Sequence, residues 1–366
     1  MTDRTHVLEF AAEKRFHQRL VLPATADHGP LAISYADIGP KVKKNGKPTP
    51  TILLIQGMGG SRLWCYHKDH LANKLRVRML AIDRPGIGGS TPIPAAKRVT
   101  IWLESVAAVL EHLSIPHVVP LSHSAGTIYL LNLLSQRRDL LWPKTPLAVL
   151  MGPWVEPKHS GIVSLKMAQM LPTGILNHYD KLMNLIVKAL PSVNASASTF
   201  SAVVNRLSGA RADTGRESKA CLSEYGMNLE MVKVLDRLTM DYVCLEDTSG
   251  MNDEAVVCLK KAPGLWGACE DLPVYLQELV QAEEQYRQDH PGEKALRVKV
   301  HFAESDGMIG PKGQKYFEDC FTQADLREAI IFESVVEKGT EHDSIWLADT
   351  KVFANVIKII QATISP

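Results

Sequence analysis

The chain has 366 residues, of which 45% are hydrophobic and 22% are charged, and its formal net charge is +1. A chain of this length and composition can bury a large core, either as one large domain or as a domain with a sizeable insertion. A net charge this small gives no overall field to attract nucleic acid or an anionic membrane, and no segment approaches the uncharged run that spans a bilayer. We therefore expect neither a nucleic-acid partner nor stable membrane insertion.

The cysteines and the first residues bear on the cellular compartment. Six cysteines are scattered along the chain without a Cys-x-x-Cys pair, so the sequence predicts no zinc site. Residues 1–15 alternate charged residues with short apolar pieces and lack the continuous apolar region of a secretory signal. Disulfide bonds are then not expected either. These features predict a cytoplasmic protein, while the oligomeric state is not predicted by any of them.

The first half of the chain alternates short β-rich runs with helical patterns. The predicted strands are residues 19–22, 31–36, 51–55, 78–82, 117–121 and 148–151. Before the fifth of them, residues 101–113 carry apolar side chains at helical spacing. Such alternation is typical of a mostly parallel sheet with helices on both faces.

After residue 151 the pattern changes. Between residues 156 and 290 there is no clear strand alternation, and helical stretches rich in Leu, Val and Met are interrupted by Pro and Gly. Methionine adapts to varied apolar ligands, so this helical insertion is a candidate lid over a lipophilic pocket, with ordinary helix packing as the alternative. Its seven methionines are Met167, Met170, Met183, Met227, Met231, Met240 and Met251.

Strand patterns return in the last part of the chain, at residues 296–302 and 330–334, with a helix at 312–320 between them. An amphipathic helix over residues 352–364 ends the pattern. We therefore predict a core made of residues 15–155 and 291–366, interrupted by a helical cap or lid at 156–290.

The most informative stretch is Ser122-His123-Ser124-Ala125-Gly126. An apolar run at 115–121 leads into it and a helical pattern at 127–134 leads out, which predicts a strand, a sharp turn and a helix. A serine at such a turn is the nucleophile elbow of serine hydrolases, in which small residues two before and two after it let strand and helix approach. Ser122 departs from the usual glycine at the first of these positions. Ser124 is the candidate nucleophile, and a polar loop before a helix is the alternative.

A serine hydroxyl is a weak nucleophile at neutral pH, so Ser124 requires a base. In hydrolases with this elbow the acid and then the histidine follow the serine along the chain, and the histidine comes after the last strand. His342 lies just after the predicted strand at 330–334 and is the only histidine after His301. His342 is therefore the candidate general base.

The base needs a carboxylate that fixes its tautomer and stabilises the imidazolium. Asp306 follows the strand at 296–302 and stands at the turn into the next helix, which makes it the candidate for this role. Glu304 and Asp343 are the alternatives.

The developing oxyanion needs two backbone N–H groups aimed at one point. Ala125, the residue after the nucleophile, supplies one, and the glycine-rich loop 56–61 after the strand 51–55 can present the N–H of Met58. This loop has neither a Gly-Lys-Ser/Thr ending nor a G-x-G-x-x-G register, so a nucleotide role is not expected. We assign Gly57 and His123 to the substrate-binding site, with a packed position as the alternative for His123.

Together these residues resemble the α/β-hydrolase superfamily, in its esterase, lipase and epoxide-hydrolase-like branch. The resemblance covers residues 15–155 and 290–366, and Gln56 stands where the family usually has histidine. The motifs that carry it are Gln56-Gly57-Met58-Gly59-Gly60, Asp83-Arg84-Pro85-Gly86-Ile87-Gly88-Gly89-Ser90, the pentapeptide around Ser124, Asp306 and His342. The second motif is similar to a structural turn of the family that shapes the end of the sheet.

The resemblance implies an α/β fold with a doubly wound, mostly parallel eight-stranded sheet and a helical cap. Members with a serine nucleophile hydrolyse carboxylic esters, thioesters, lactones or carbon–carbon bonds, or transfer acyl groups. Members with aspartate at the elbow are epoxide hydrolases or dehalogenases, which Ser124 disfavours.

The sequence therefore predicts a serine hydrolase without cofactor or metal that cleaves an ester, lactone or thioester of a lipophilic small molecule through an acyl-enzyme. An acyltransferase or cyclase, or a carbon–carbon bond hydrolase with the same triad, is one alternative. A non-catalytic ligand-binding protein on a hydrolase fold is the other. The acyl and leaving groups are not predicted, because fold does not fix substrate.

Overall fold

The computed structural model describes residues 3–42, 46, 49–181 and 214–364. Eight strands in this part of the chain form one sheet. They are β1 (Gln18–Leu22), β2 (Leu31–Ile38), β3 (Thr51–Ile55), β4 (Arg78–Ile82), β5 (Val118–His123), β6 (Leu147–Met151), β7 (Leu296–Ser305) and β8 (Ile330–Glu341).

The order of strands across the sheet is β1-β2-β4-β3-β5-β6-β7-β8. β1 pairs antiparallel with β2, and β2 antiparallel with β4, while the pairs from β4 to β8 are all parallel. Every residue of β3, β4, β5 and β6 is buried, as expected for parallel strands covered on both faces. The predicted fold class is confirmed.

All eight predicted strands are present, and β3 and β4 have the predicted bounds. β8 continues to Glu341, beyond the predicted end at Ser334. It lies at the edge of the sheet, and Val335 and Val336 are exposed. An edge strand with exposed residues on both faces lacks the apolar alternation that marks a half-buried strand, which explains the shorter prediction.

Thirteen α-helices lie among the described residues. They are α1 (Asp3–Ala11), α2 (Asp69–Lys74), α3 (Arg98–His112), α4 (Gly126–Gln136), α5 (Pro157–Ser160), α6 (Val163–Met170), α7 (Thr173–Leu176), α8 (Thr214–Tyr225), α9 (Leu229–Leu245), α10 (Gly250–Cys258), α11 (Leu272–Asp289), α12 (Gly310–Gln323) and α13 (Val352–Ile364). Helix α1 was not predicted from the sequence; in the structure Val7 and Ala11 are buried, and Leu8 and Phe10 pack partly buried against the same core. Across the described residues no helix has the length and apolar character needed to cross a membrane.

The sheet separates two apolar cores. Leu53 and Ile55 point to one face, where they pack with residues of α3, α4, α11 and α12. Ile52 and Leu54 point to the other face, where they pack with residues of α1, α9 and α13. The alternation along β3 thus fills both cores, which is what a strand buried on two faces requires.

Helices α5 to α11 lie between β6 and β7, and the described residues of 152–295 contribute no strand to the sheet. The chain therefore has a helical insertion at this point, although its predicted limits at 156 and 290 stay predictions. The last helix of this segment packs on the layer beside the sheet, because the Tyr275 hydroxyl of α11 donates to the Leu131 carbonyl of α4 at 2.8 Å.

The methionines of the insertion differ in burial. Met227, Met240 and Met251 are buried and Met231 is half-buried, whereas Met167 and Met170 of α6 are 64% and 83% exposed. Met183 lies outside the described residues. Met227 packs in the apolar core that also holds residues of α9, whereas the Met251 side chain lies against Gly59 of the loop after β3.

Three buried or half-buried carboxylates tie the insertion to the core. Each comes from the segment that begins with α9 and ends with α10, and each pairs with a basic side chain between residues 62 and 98. The pairs are Asp236 with His67, Glu246 with Arg62, and Glu254 with both Arg84 and Arg98. The insertion is therefore docked on the loops that follow β3 and β4.

Candidate active site

The turn between β5 and α4 holds Ser124 in the left-handed region, at φ +50°. A side chain in this conformation is strained, and such strain occurs at functional sites. Gly126 permits the close approach of strand and helix, because a Cβ there would lie 2.2 Å from the Ile55 carbonyl oxygen. At the other small position, Ser122 is fully buried and its hydroxyl has no hydrogen-bond partner among the described residues.

The structure brings Ser124, His342 and Asp306 into one hydrogen-bonded chain. Ser124 Oγ lies 2.8 Å from His342 Nε2, and His342 Nδ1 lies 2.8 Å from Asp306 Oδ2. A carboxylate accepts, so Nδ1–H is the donor to Asp306, and Nε2 of the neutral ring is left to accept the serine proton. This is the arrangement that general-base activation of a serine requires.

Two strand ends position the histidine and the aspartate. His342 directly follows β8, and Asp306 directly follows β7, its parallel neighbour. The second carboxylate oxygen of Asp306 accepts from the N–H groups of Met308, at 2.9 Å, and Ile309, at 2.7 Å. With both oxygens hydrogen-bonded, the Asp306 carboxylate is held towards His342.

The electrostatics favour an ion pair between these two groups. Burial alone would raise the pKa of Asp306, but the hydrogen bond from His342 and those from the backbone hold it below the ordinary 3.8. Burial alone would lower the pKa of His342, but Asp306, with a smaller contribution from Asp343, raises it above the ordinary 6.5. His342 therefore has increased basicity.

Neither alternative acid is the hydrogen-bond partner of His342 Nδ1. Glu304 is exposed and accepts from the Gly339 N–H at 2.9 Å. Asp343 is buried beside the site, but the Nδ1 atom of His342 is hydrogen-bonded to Asp306. The geometry therefore favours Asp306 as the orienting carboxylate.

The loop after β3 approaches Ser124 closely. A Cβ on Gly57 would lie 3.2 Å from Ser124 Cβ and 3.1 Å from His123 Nδ1, so glycine allows this approach. Within the described residues, neither the Met58 N–H nor the Ala125 N–H donates a hydrogen bond. Unused backbone donors are uncommon away from water, and the two residues are those expected to form an oxyanion hole.

His123 supports the loop that carries His342. It is fully buried, its Nε2–H donates to the His342 carbonyl at 2.8 Å, and its ring stacks on Trp346 at 5.3 Å. A residue buried in this way is not placed to touch a substrate. The geometry therefore favours the packed position for His123 over its predicted place in the substrate-binding site.

This position makes His123 a source of acid sensitivity. Burial, reinforced by the nearby His342, lowers the pKa of His123 to about 3, against the ordinary 6.5. The unfolded chain then binds more protons between these two values, so stability is lost as the pH falls from 6.5 towards 3. At pH 5 the loss amounts to about 2 kcal/mol.

We expect His123→Gln to remove this sensitivity while keeping an N–H donor. Between pH 7 and pH 5, the free energy of unfolding measured in urea is expected to fall by about 2 kcal/mol more in wild type than in the variant. Stability curves that stay parallel over this interval would show that His123 does not titrate in this way.

One group of potential metal ligands occurs among the described residues. The ligand atoms of His123, His342 and Asp343 lie within 4.8 Å of one another. Both ring nitrogens of His342 are already hydrogen-bonded, to Asp306 and to Ser124, so a metal bound there would break that chain. We assign no metal or cofactor to the site.

Sequence reasoning missed one buried network beside the site. Glu254 of α10 pairs with Arg84 and Arg98 and accepts from the Gly59 N–H at 2.8 Å. The only local sequence feature that pointed to this network is the turn containing Arg84, which resembles a family motif. Nothing in the sequence around Glu254 marks it, because its partners lie far away along the chain.

Comparisons with known proteins agree with this architecture. Residues 50–174 match the family model described as alpha/beta hydrolase fold. No curated protein matches the chain by sequence.

Solved structures of several hydrolases are similar to this one. A carboxylesterase structure from the thaumarchaeon Nitrososphaera gargenis has a TM-score of 0.55 at 12% identity, over 94% of this chain and 98% of that one. Potato (Solanum tuberosum) epoxide hydrolase I has a TM-score of 0.55 at 14% identity, over 95% and 99%. An esterase from Thermogutta terrifontis has a TM-score of 0.51 at 13% identity, over 95% and 100%. At these identities the similarity concerns the fold.

Proposed function

By its fold this chain belongs to the α/β-hydrolase superfamily, and from that premise we propose that it is a serine hydrolase acting on a small lipophilic carboxylic ester, lactone or thioester. Ser124 is the nucleophile, His342 the general base and Asp306 the orienting carboxylate. The N–H groups of Met58 and Ala125 form the oxyanion hole.

One observation carries the proposal. Ser124, on a strained strand-to-helix turn, is hydrogen-bonded to a histidine of raised pKa, which is hydrogen-bonded to an aspartate of lowered pKa. A serine buried for structural reasons needs none of these features. Acyl transfer is supported by this hydrogen-bonded series of a strained nucleophile, a base and an orienting acid.

In the first half of the reaction, Ser124 Oγ attacks the acyl carbonyl while its proton passes to His342 Nε2. Asp306 stabilises the imidazolium through Nδ1–H and does not itself take the proton. The carbonyl oxygen becomes an oxyanion, which the two unused N–H groups stabilise. His342 then gives its proton to the leaving alcohol or thiol, and an acyl-enzyme remains.

In the second half, water replaces the leaving group. His342 takes a proton from the water as it attacks the acyl-enzyme, a second oxyanion forms, and the proton returns to Ser124 as the acid leaves. Apart from the substrate and this water, each step uses groups of this chain.

The surroundings of the oxyanion loop support a lipophilic substrate. The Met58 side chain is half-buried and packs against a small apolar cluster made by Leu176, Ala255 and Leu259. An apolar wall beside the reacting carbonyl favours an apolar acyl or alcohol group. The cytoplasmic location expected from the sequence stays a prediction.

A substrate panel tests the proposal. Nitrophenyl esters of increasing acyl length, a set of lactones and a set of thioesters are incubated with wild type and with His342→Ala. We expect turnover of at least one class by wild type and its loss in the variant. Equal turnover by the two proteins would contradict the proposal.

The pH dependence of kcat/KM provides a further test. Because only the neutral form of His342 accepts a proton, activity is expected to rise with pH and to reach half its plateau above pH 6.5, where the raised pKa of His342 lies. Rates with one ester between about pH 5 and about pH 9 measure this midpoint. A midpoint below 6.5 would contradict the role of Asp306 in raising the basicity of His342.

A further inference from the structure

Glu254 lies at the contact between the helical insertion and the oxyanion loop. It belongs to α10 and is 2% exposed. Its carboxylate accepts from Arg84 Nε, from Arg84 Nη2 at 2.9 Å, and from Arg98 Nη2 at 3.2 Å. It also accepts from the backbone N–H of Gly59 at 2.8 Å. A buried carboxylate with this many donors is held in one place.

Arg84 carries the same network into the loop before Gly59. Its Nη1 donates to the Gln56 carbonyl at 2.5 Å, and its Nη2 donates to the Gly57 carbonyl. Arg84 is 2% exposed, so these carbonyls take their hydrogen bonds from protein and not from bulk water. Glu254 and Arg84 therefore hold three consecutive peptide groups of the loop, those between residues 56 and 59.

The direction of the Met58 N–H follows from these contacts. In a planar trans peptide the carbonyl and the N–H point in opposite directions. The peptide between Gly57 and Met58 presents its carbonyl to Arg84, so its N–H points away from Arg84. The next two loop donors are used, since the Gly59 N–H goes to Glu254 and the Gly60 N–H goes to the Gly57 carbonyl at 3.0 Å.

We propose that Glu254 is a positioning residue for the oxyanion hole: through Arg84 and the Gly59 N–H it holds the loop with the Met58 N–H free and correctly directed. The inference rests on the proposed function, since it concerns the same oxyanion site. Its consequence is that a residue of the insertion helps to set the catalytic geometry of the core.

A purely structural ion pair is the competing explanation, because breaking a buried pair destabilises a protein whatever its location. The two explanations differ in what they change. Loss of stability lowers the fraction of active molecules, whereas a displaced oxyanion donor lowers the rate of each active molecule.

The test uses Glu254→Gln in the full-length chain, with Glu246→Gln as its matched control. The amide keeps the shape of the side chain but replaces one acceptor oxygen with an NH₂ group facing the donors of Arg84. Glu246 is another insertion carboxylate, but it pairs with Arg62, which keeps Asp83 as a partner. Active molecules are counted with a fluorophosphonate, and kcat and KM are measured with the best ester of the panel.

The affinity for an aryl trifluoromethyl ketone separates the two explanations, because a purely structural role of Glu254 would leave this affinity unchanged. Ser124 Oγ adds to the ketone carbon, the serine proton passes to His342, and the ketone oxygen becomes an oxyanion in the hole. We expect Glu254→Gln to lower kcat per active molecule and the affinity for the ketone by the same factor of about 10 to 100, with KM nearly unchanged. Glu246→Gln is expected to change neither.

Arg84→Lys keeps the test decisive if Glu254→Gln does not fold. Lysine keeps the charge but lacks the planar fork that reaches two carbonyls and a carboxylate, so a similar loss is expected. Unchanged kcat and ketone affinity in either folded variant, or equal losses in Glu246→Gln, would overturn the inference. Failure of wild type to react with both fluorophosphonate and esters would instead overturn the proposed function.

Discussion

Replacing Ser124 with alanine is expected to lower kcat/KM for an ester by about 10⁴- to 10⁶-fold. In the proposed mechanism the variant keeps the base, the orienting acid and the oxyanion donors but loses the atom that forms the acyl-enzyme. Hydrolysis through direct attack of water is the only remaining route. The measurement is the rate of ester hydrolysis, per folded molecule, in wild type and variant.

The fold provides the control for this experiment. Ser124 sits at φ +50°, a conformation that costs an alanine about 1–2 kcal/mol and a glycine almost nothing. Ser124→Gly is therefore expected to be as inactive as Ser124→Ala but more stable in urea by about 1 kcal/mol. Retained activity in both variants would show that another group is the nucleophile.

Asp306→Asn is expected to lower kcat/KM by about 10⁴-fold. The amide can present an N–H to His342 Nδ1, which then accepts and leaves the proton on Nε2, where it blocks transfer from Ser124. The main cause of the raised pKa of His342 is also removed, so the remaining activity is expected to reach its plateau at a lower pH.

Glu304→Gln is the matched control for Asp306. Glu304 is two residues away, was the alternative acid, and is exposed with a hydrogen bond from the Gly339 N–H. Its amide is expected to leave kcat/KM within about twofold of wild type, as for a surface substitution away from the reacting groups. A loss as large as that of Asp306→Asn would contradict the assignment of the acid.

The sequence allowed the sheet and the elbow to be predicted because both depend on local patterns. Buried strands such as β3 and β4 read as short apolar runs with clear ends, and the Ser124 turn needs small residues at fixed positions. His342 and Asp306 were found from their place after the last two strands, since parallel neighbours end at the same edge of the sheet. Their hydrogen bonds became visible only in three dimensions.

The residues that sequence reasoning missed depend on contacts between distant parts of the chain. Arg84 and Glu254 are 170 residues apart, and no periodicity or spacing relates them. The role of His123 depends on a carbonyl 219 residues away. Buried charge networks of this kind leave no local pattern, because any helix surface carries glutamates and any loop carries arginines.

Intact-mass spectrometry after treatment with a fluorophosphonate tests the central claim most directly. The reagent phosphonylates an activated serine and releases fluoride, so wild type is expected to gain one adduct mass while Ser124→Ala and His342→Ala gain none. Peptide mapping is expected to place the adduct on Ser124. A folded wild type that gains no adduct, or an adduct that persists in Ser124→Ala, would contradict the account.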